Sequence, residues 1–583
     1  MTLWPLLDGR DPESVVAIDA ASGSGSGFGP GSDSGSGLGS GSGREPWAVT
    51  TAELRQRALA VAAILRRAGV GAGDCVAVWL PNWPDALAWQ FGASALDAHV
   101  IGLNTRYNVG EVRHVLRRAR PKVIAIAHGF HGLDLPGRLR RAIEADPDLT
   151  PAPATVAVPG IGGTSPERPG EGGEPPGTCR GQAGDGDELA VAFTTSGSTG
   201  APKLAAHRAS AVIDHARRDA EAIGIHPGDV VVCALPLSGV FGFSTAMAAI
   251  AGGGTCLLEP VFDEGTVLAD MARWRATHVV GGDDMVGRLA DAWRGEDLSS
   301  WRWLGIADFA GRAREVGEWA TREFGTQTSG VYGSSEVFAL TALWPPDEPA
   351  PRRWRGGGRL VSPRMEARVV DGELQLRGPN VVDAYLGDPD ADPFTADGWF
   401  RTGDLAEIAS DGAITFICRM GDALRLRGFL VDPAEIEQRL AEHESVRAAK
   451  VVGIRGSGGD EAVGFVVADG EVDGETLREW CARTLAAFKV PVAVYVIDEM
   501  PVTSGTNGTK IKAATLREWA LRRRKTALSP FTESCRCARA SSGPAEGTRI
   551  DRAGRIRRES SRAAARWRWT SRRRRRCSGR PTT

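Results

Sequence analysis

From Val230 to Leu258 the chain runs for 29 residues without a charge, longer than the ~20 residues needed to cross a bilayer. Whether this stretch spans a membrane or lies inside a soluble core decides what the rest can fold into. Pro236 and the glycines at 239, 242, 252, 253 and 254 break it into strand, loop, short helix and strand, the layout of a buried α/β segment. No transmembrane segment is expected.

The pattern on either side agrees. Thr50 with Glu53 makes a capping box, and Leu54, Ala58, Val61, Ile64 and Leu65 then recur at helical spacing. A strand from Cys75 to Leu80, a helix over Pro84 to Leu96 and a strand from Val100 follow. This alternation predicts a parallel sheet covered by helices. Residues 21–43 and 159–187 are Gly-, Ser- and Pro-rich insertions, too poor in apolar surface to offset chain entropy. The first separates VVAID from WAVT, two strands of a hairpin. Beyond residue 420 shorter strands and helices alternate. The expected fold class is α/β: a large N-terminal domain of layered sheets and helices over 1–419, and a small α+β C-terminal domain over 420–521. An Arg-rich, disordered tail is expected over 522–583.

Charge separates the tail from the body. Residues 522–583 hold 20 basic and 4 acidic side chains, whereas the preceding residues hold 50 and 68. An acidic body argues against nucleic-acid binding through its bulk surface, which needs clustered Lys and Arg. Nine Cys, with only Cys535 and Cys537 close together, offer neither a disulfide framework nor a CxxC zinc pair. With no basic, apolar leader at the N-terminus, a cytoplasmic location is expected.

The strongest chemical string is Thr194-Thr195-Ser196-Gly197-Ser198-Thr199-Gly200-Ala201-Pro202-Lys203, placed after a buried strand. Small hydroxyl residues and glycines expose backbone N–H groups, and with the lysine ammonium they form a cradle for polyphosphate. It is not a Walker A loop, because Pro202 precedes the lysine and Leu204 follows it. Tyr332-Gly333-Ser334-Ser335-Glu336 sets an aromatic, hydroxyls and a carboxylate within five residues. Read alone, Tyr332 is a core residue and Glu336 a surface charge; read together, they suit a purine ring and a Mg²⁺ ion. Asp397 to Asp404 adds a carboxylate after a tight turn, suited to ribose hydroxyls or to closing a hairpin.

In this order and spacing, together with Leu80-Pro81-Asn82, Gly378-Pro379-Asn380 and Asp432-Pro433-Ala434-Glu435-Ile436-Glu437, the strings resemble the adenylate-forming superfamily of acyl-CoA synthetases, aryl-CoA ligases, peptide-synthetase adenylation domains and luciferases. The resemblance runs from about Thr50 to Glu518. It implies an ATP- and Mg²⁺-dependent enzyme that converts a carboxylic acid to acyl-AMP and passes the acyl group to coenzyme A. It further implies that Thr195, Ser196, Gly197, Ser198, Thr199, Gly200 and Lys203 hold the ATP phosphates. Tyr332 would lie against adenine, Gly333 would belong to the nucleotide site, Ser335 and Glu336 would serve phosphate and metal, and Asp404 with Arg419 would grip ribose. Lys510 falls where the family keeps its catalytic lysine, with Lys512 as rival; outside that frame both read as surface lysines.

The family's second step follows rotation of the small domain about a hinge, here at Gly421, where the family usually has Asp or Lys. Glycine permits the φ/ψ change and supplies no charge to bias either state. Ser238, Gly239 and Phe241, with Gly281 and Gly282, fall on the family's substrate pocket. Small residues at 238 and 239 imply room for more than a small acid, whereas the glycines at 281 and 282 equally suit close packing. A fatty or aryl acid is expected. Two other readings remain: an adenylating enzyme that loads a separate carrier protein, and a degenerate nucleotide-binding relative without ligase activity.

Overall fold

The computed structural model describes residues 1–20, 47–149, 151–159, 187–195, 202–309, 311–350, 352–388, 391–420, 424–426, 429–431, 433–456, 459–505 and 508–528. The capping box closes as expected: the Thr50 hydroxyl accepts from the Glu53 N–H at 3.2 Å, and the Glu53 carboxylate from the Thr50 N–H at 2.9 Å. It starts helix Thr51–Arg67, whose buried stripe of Leu54, Ala58, Val61 and Leu65 faces helix Pro84–Ser94. The uncharged stretch resolves into strand Val230–Cys233, helix Val240–Ala251 and strand Thr255–Leu258. That helix is apolar all round and almost wholly buried, because strands and helices cover it on every side. Among the described residues no helix is long and apolar enough to cross a membrane.

Two large sheets build the body. In a seven-stranded sheet, strands Cys75–Trp79, His99–Gly102, Val123–Ala127, Ala154–Val158 and Leu189–Thr194 run parallel. Leu189–Thr194 is also the turning point, pairing antiparallel with Leu204–Arg208, which pairs in turn with the two-residue strand Ala384–Tyr385. A thirteen-stranded sheet behaves alike. Its parallel run reaches strand Gln327–Ser334, which pairs parallel with Trp303–Ala307 and antiparallel with Phe338–Leu343. In open α/β sheets, ligands gather outside the carboxyl ends of the parallel strands; the two strands at which pairing turns from parallel to antiparallel are the switch strands of the two sheets. The phosphate string follows one switch strand, and Tyr332 to Glu336 close the other.

The expected hairpin of VVAID and WAVT is present as Val15–Asp19 against Trp47–Thr50. Near the C-terminus, strands Leu424–Leu426, Phe429–Val431, Val446–Gly456, Gly459–Ala468 and Ala493–Val496 form a separate sheet. Helices Pro433–Ala441 and Gly474–Ala482 cover it through Ile436, Leu440 and Leu477. A hairpin, Val502–Gly505 with Gly508–Ile511, precedes helix Ala513–Leu528. Residues Met1–Arg522 cluster as one unit and Arg523–Thr583 as a second. The Arg-rich stretch expected to be disordered thus begins within a helix; residues 529–583 lie outside those described, as do both insertions almost entirely.

Candidate active site

Thr195 and Lys203 close the phosphate string at its base. The Thr195 N–H donates to the Lys203 carbonyl at 2.8 Å, and the Lys203 N–H to the Thr195 hydroxyl at 3.0 Å. This reciprocal clasp extends the antiparallel pairing of the flanking strands by one step, so that the loop leaves and returns at fixed points. Ser196, Gly197, Ser198, Thr199 and Gly200 lie outside the described residues.

Lys203 does not point into empty solvent. Its Nζ sits 4.5 Å from the ring centre of Tyr385, a cation–π distance. The Tyr385 hydroxyl donates to Glu336 Oε1 at 3.3 Å. Burial, then the neighbouring Glu336 carboxylate, raises the Tyr385 hydroxyl above its ordinary range, so it stays protonated and donates. Three residues distant in sequence therefore meet, and one of them, Tyr385, carried no sequence signal: it lies on a two-residue edge strand.

Glu336 sits on the turn after strand Gln327–Ser334. Its N–H bonds to the Ser334 hydroxyl at 3.2 Å, and its carbonyl accepts from the Val382 N–H at 2.6 Å. Ser335 is buried, and its carbonyl bonds to His207 Nε2 at 2.8 Å. Burial pushes His207 down to about 4, so the ring is neutral near pH 7; the proton must reside on Nε2, since a carbonyl only accepts. The Phe338 ring lies between His207 and His215, with centroids 4.2 Å and 4.5 Å away.

Tyr332 is 6% exposed. Its ring faces Phe416 at 6.0 Å and its hydroxyl donates to Asp404 Oδ2 at 2.7 Å. Asp404 Oδ1 also meets Arg419 Nε at 3.0 Å, and Arg419 donates to the Thr402 carbonyl at 2.9 Å. Asp404 and Arg419 are direct cross-strand partners. Tyr332, Asp404 and Arg419 are thus one hydrogen-bonded group, with Gly333 at its margin; there the backbone of Phe338 and Ala339 leaves no space for a Cβ.

The substrate-pocket candidates part company. Ser238 lines a partly open cavity of about 30 Å³ with Gly102, Leu237, Phe193, Phe243 and Met247. Gly239 caps helix Val240–Ala251, and Phe241 is buried within it. The space a side chain would take at Gly281 is filled by the Met285 methyl, and at Gly282 by Asp284 and Phe309. At 281 and 282 these neighbours occupy the space beside the glycines, which is the close-packing alternative. Asp283, fully buried, accepts from the N–H groups of Phe309 at 2.9 Å and Arg312 at 2.7 Å, tying that loop to the sheet.

Lys510 lies on strand Gly508–Ile511 opposite Thr503. The strand's Cα atoms come within 8 Å of those of strand His278–Gly282 and helix Asp283–Ala292, so its backbone borders the large lobe at the carboxyl end of a parallel strand. Gly421 lies outside the described residues. For Mg²⁺, the donor set is one half-buried carboxylate beside the phosphate string; no cluster of three metal-type side chains occurs among the described residues. That fits a cation which takes one or two protein carboxylates and completes its shell with phosphate oxygens and water.

The sequence profile of the AMP-binding enzyme family matches residues 44–386, and that of the AMP-binding enzyme C-terminal domain matches residues 435–505. A 3-[(3aS,4S,7aS)-7a-methyl-1,5-dioxo-octahydro-1H-inden-4-yl]propanoyl:CoA ligase of Rhodococcus jostii (strain RHA1) is 30% identical over 484 residues, covering 78% of this chain and 91% of that one. The 4-coumarate–CoA ligase 2 of Oryza sativa subsp. japonica is 30% identical, with 78% and 84% covered. Among solved structures, an amide bond synthetase of Marinactinospora thermotolerans superimposes with TM-score 0.70 at 28% identity, over 81% of this chain and 95% of that one.

Proposed function

The chain belongs to the AMP-binding enzyme family, and on that premise we propose that it is an ATP-dependent acid–thiol ligase acting on a fatty or aryl acid. The acid's carboxylate attacks the α-phosphorus of ATP and pyrophosphate leaves. The thiol of coenzyme A then attacks the acyl carbonyl and AMP leaves. The observation that carries this reading is the convergence of Lys203, Glu336 and the Tyr332–Asp404–Arg419 group on the carboxyl ends of the two switch strands.

Each group has a task set by its chemistry. The loop from Thr195 to Lys203 holds phosphate oxygens through N–H groups and one ammonium. Asp404 accepts from ribose hydroxyls, oriented by Tyr332 and Arg419; with its ring so covered, Tyr332 serves the nucleotide more through Asp404 than by stacking. Mg²⁺ held by Glu336 would offset phosphate charge. Lys510 faces the central difficulty, an anion approaching an anion, and its ammonium stabilises the charge that gathers as they meet.

Pyrophosphate exchange over a panel of fatty, aryl and short acids tests the first step, and AMP release with added CoA tests the second. Lys510→Ala is expected to lower exchange by about 100-fold or more while ATP still binds. Exchange as fast as before would remove the lysine from the mechanism, and no exchange with any acid would favour a degenerate binder. The amide bond synthetase among the neighbours keeps the acceptor open. AMP release that responds to an amine or a loaded carrier protein but not to CoA would replace the thiol in this reading.

A further inference from the structure

Opposite charges close together normally pair, yet Lys203 and Glu336 each meet Tyr385. The ammonium lies over its ring at 4.5 Å and the carboxylate accepts from its hydroxyl at 3.3 Å. Tyr385 is fixed from behind. It pairs with Ala205 across the edge strand, is 7% exposed, and belongs to the apolar cluster of Leu374, Val382, Phe400 and Ala205. A rigid phenol between a cation and an anion gives each a partner weaker than the other charge would be. Both remain easy to draw off by something more strongly charged.

We infer that Tyr385 is a positioning residue of the nucleotide site: its hydroxyl orients Glu336 toward Mg²⁺, and its ring carries the Lys203 ammonium until a phosphate claims it. This rests on the reading of Glu336 and Lys203 given above. The competing view is that Tyr385 merely fills the core beneath the edge strand. The two views separate because the hydroxyl and the ring can be removed one at a time.

The measurement is the dissociation constant of ATP for the full chain, with Mg²⁺ and with EDTA, so that no acid substrate is needed. Tyr385→Phe keeps the ring and is expected to leave ATP binding in EDTA unchanged while reducing the tightening produced by Mg²⁺ by about 3- to 10-fold. Tyr385→Leu should show that loss and, in addition, weaken binding in EDTA by about 2- to 5-fold. Thermal melts check that each variant folds. If Tyr385→Phe binds like the parent under both conditions, or loses equally under both, the inference is overturned. Glu336→Gln is the control. If it too leaves the Mg²⁺ effect intact, the assignment of Glu336 fails and takes this inference with it; if it abolishes the effect while Tyr385→Phe does not, Tyr385 alone is excluded.

Discussion

At the scale of single residues, the buried carboxyl of Glu259 gives the clearest expectation that does not depend on catalysis. It is 2% exposed, immediately after strand Thr255–Leu258. Burial, with repulsion from Asp270 and Asp19, pushes it from an ordinary 4.5 up to about 8. The folded protein therefore keeps a proton that the unfolded chain gives up above about pH 4.5, and between these values the unfolded state binds fewer protons. Stability from this group is complete at low pH and is lost progressively as pH rises through about 8. Glu259→Gln has the shape of the protonated form and nothing to ionise. Its melting temperature is expected to match the parent's near pH 5 and to exceed it increasingly toward pH 9, where the gain reaches about 2 kcal/mol or more. Melting curves that shift in parallel across that range would show the carboxyl is not held neutral.

At the scale of elements, the two sheets are tied at the point where each changes direction, and His207 makes one of the ties. His207 stands on strand Leu204–Arg208 of the smaller sheet, and its Nε2–H reaches the carbonyl of Ser335 at the end of a strand of the larger one. Replacing it with leucine leaves a buried carbonyl without that donor, a loss of about 1–3 kcal/mol, whereas glutamine offers an N–H in roughly the same place. ATP affinity and melting temperature are both expected to fall in the order parent, His207→Gln, His207→Leu; glutamine no better than leucine would mean that packing against Phe338, not the hydrogen bond, is what matters. The strands themselves were legible from sequence, because fully buried parallel strands such as Val123–Ala127 are written as unbroken apolar runs bounded by turn residues. The Thr50–Glu53 cap was legible because both partners lie within one turn. Tyr385 was not, since a two-residue edge strand has no periodicity and its partners lie 49 and 182 positions away. Nor could sequence say whether Gly281 makes room for substrate or for Met285, because only the fold decides what approaches a missing side chain.

At the scale of the whole molecule, the mechanism asks one lysine to attend the first step and leave before the second. In this structure the strand bearing Lys510 borders strand His278–Gly282, and the proposed mechanism assigns this arrangement to the first step. On the proposed mechanism the small domain turns to admit the thiol, and the chain between the two parts carries glycine at position 421. Glycine tolerates large φ changes; proline fixes φ near −65° and removes the N–H. Gly421→Pro is therefore expected to spare whichever arrangement its backbone angle allows and to obstruct exchange between the two. Where proline is compatible with the adenylating arrangement, pyrophosphate exchange should stay within about 3-fold of the parent, while CoA-dependent AMP release falls by about 10-fold or more. Equal losses in both assays would point to damage of the fold. Equal retention in both would mean that the pivot lies elsewhere in the linker, and the place to look is then Met420, which is 40% exposed and immediately follows the Arg419 that anchors Asp404.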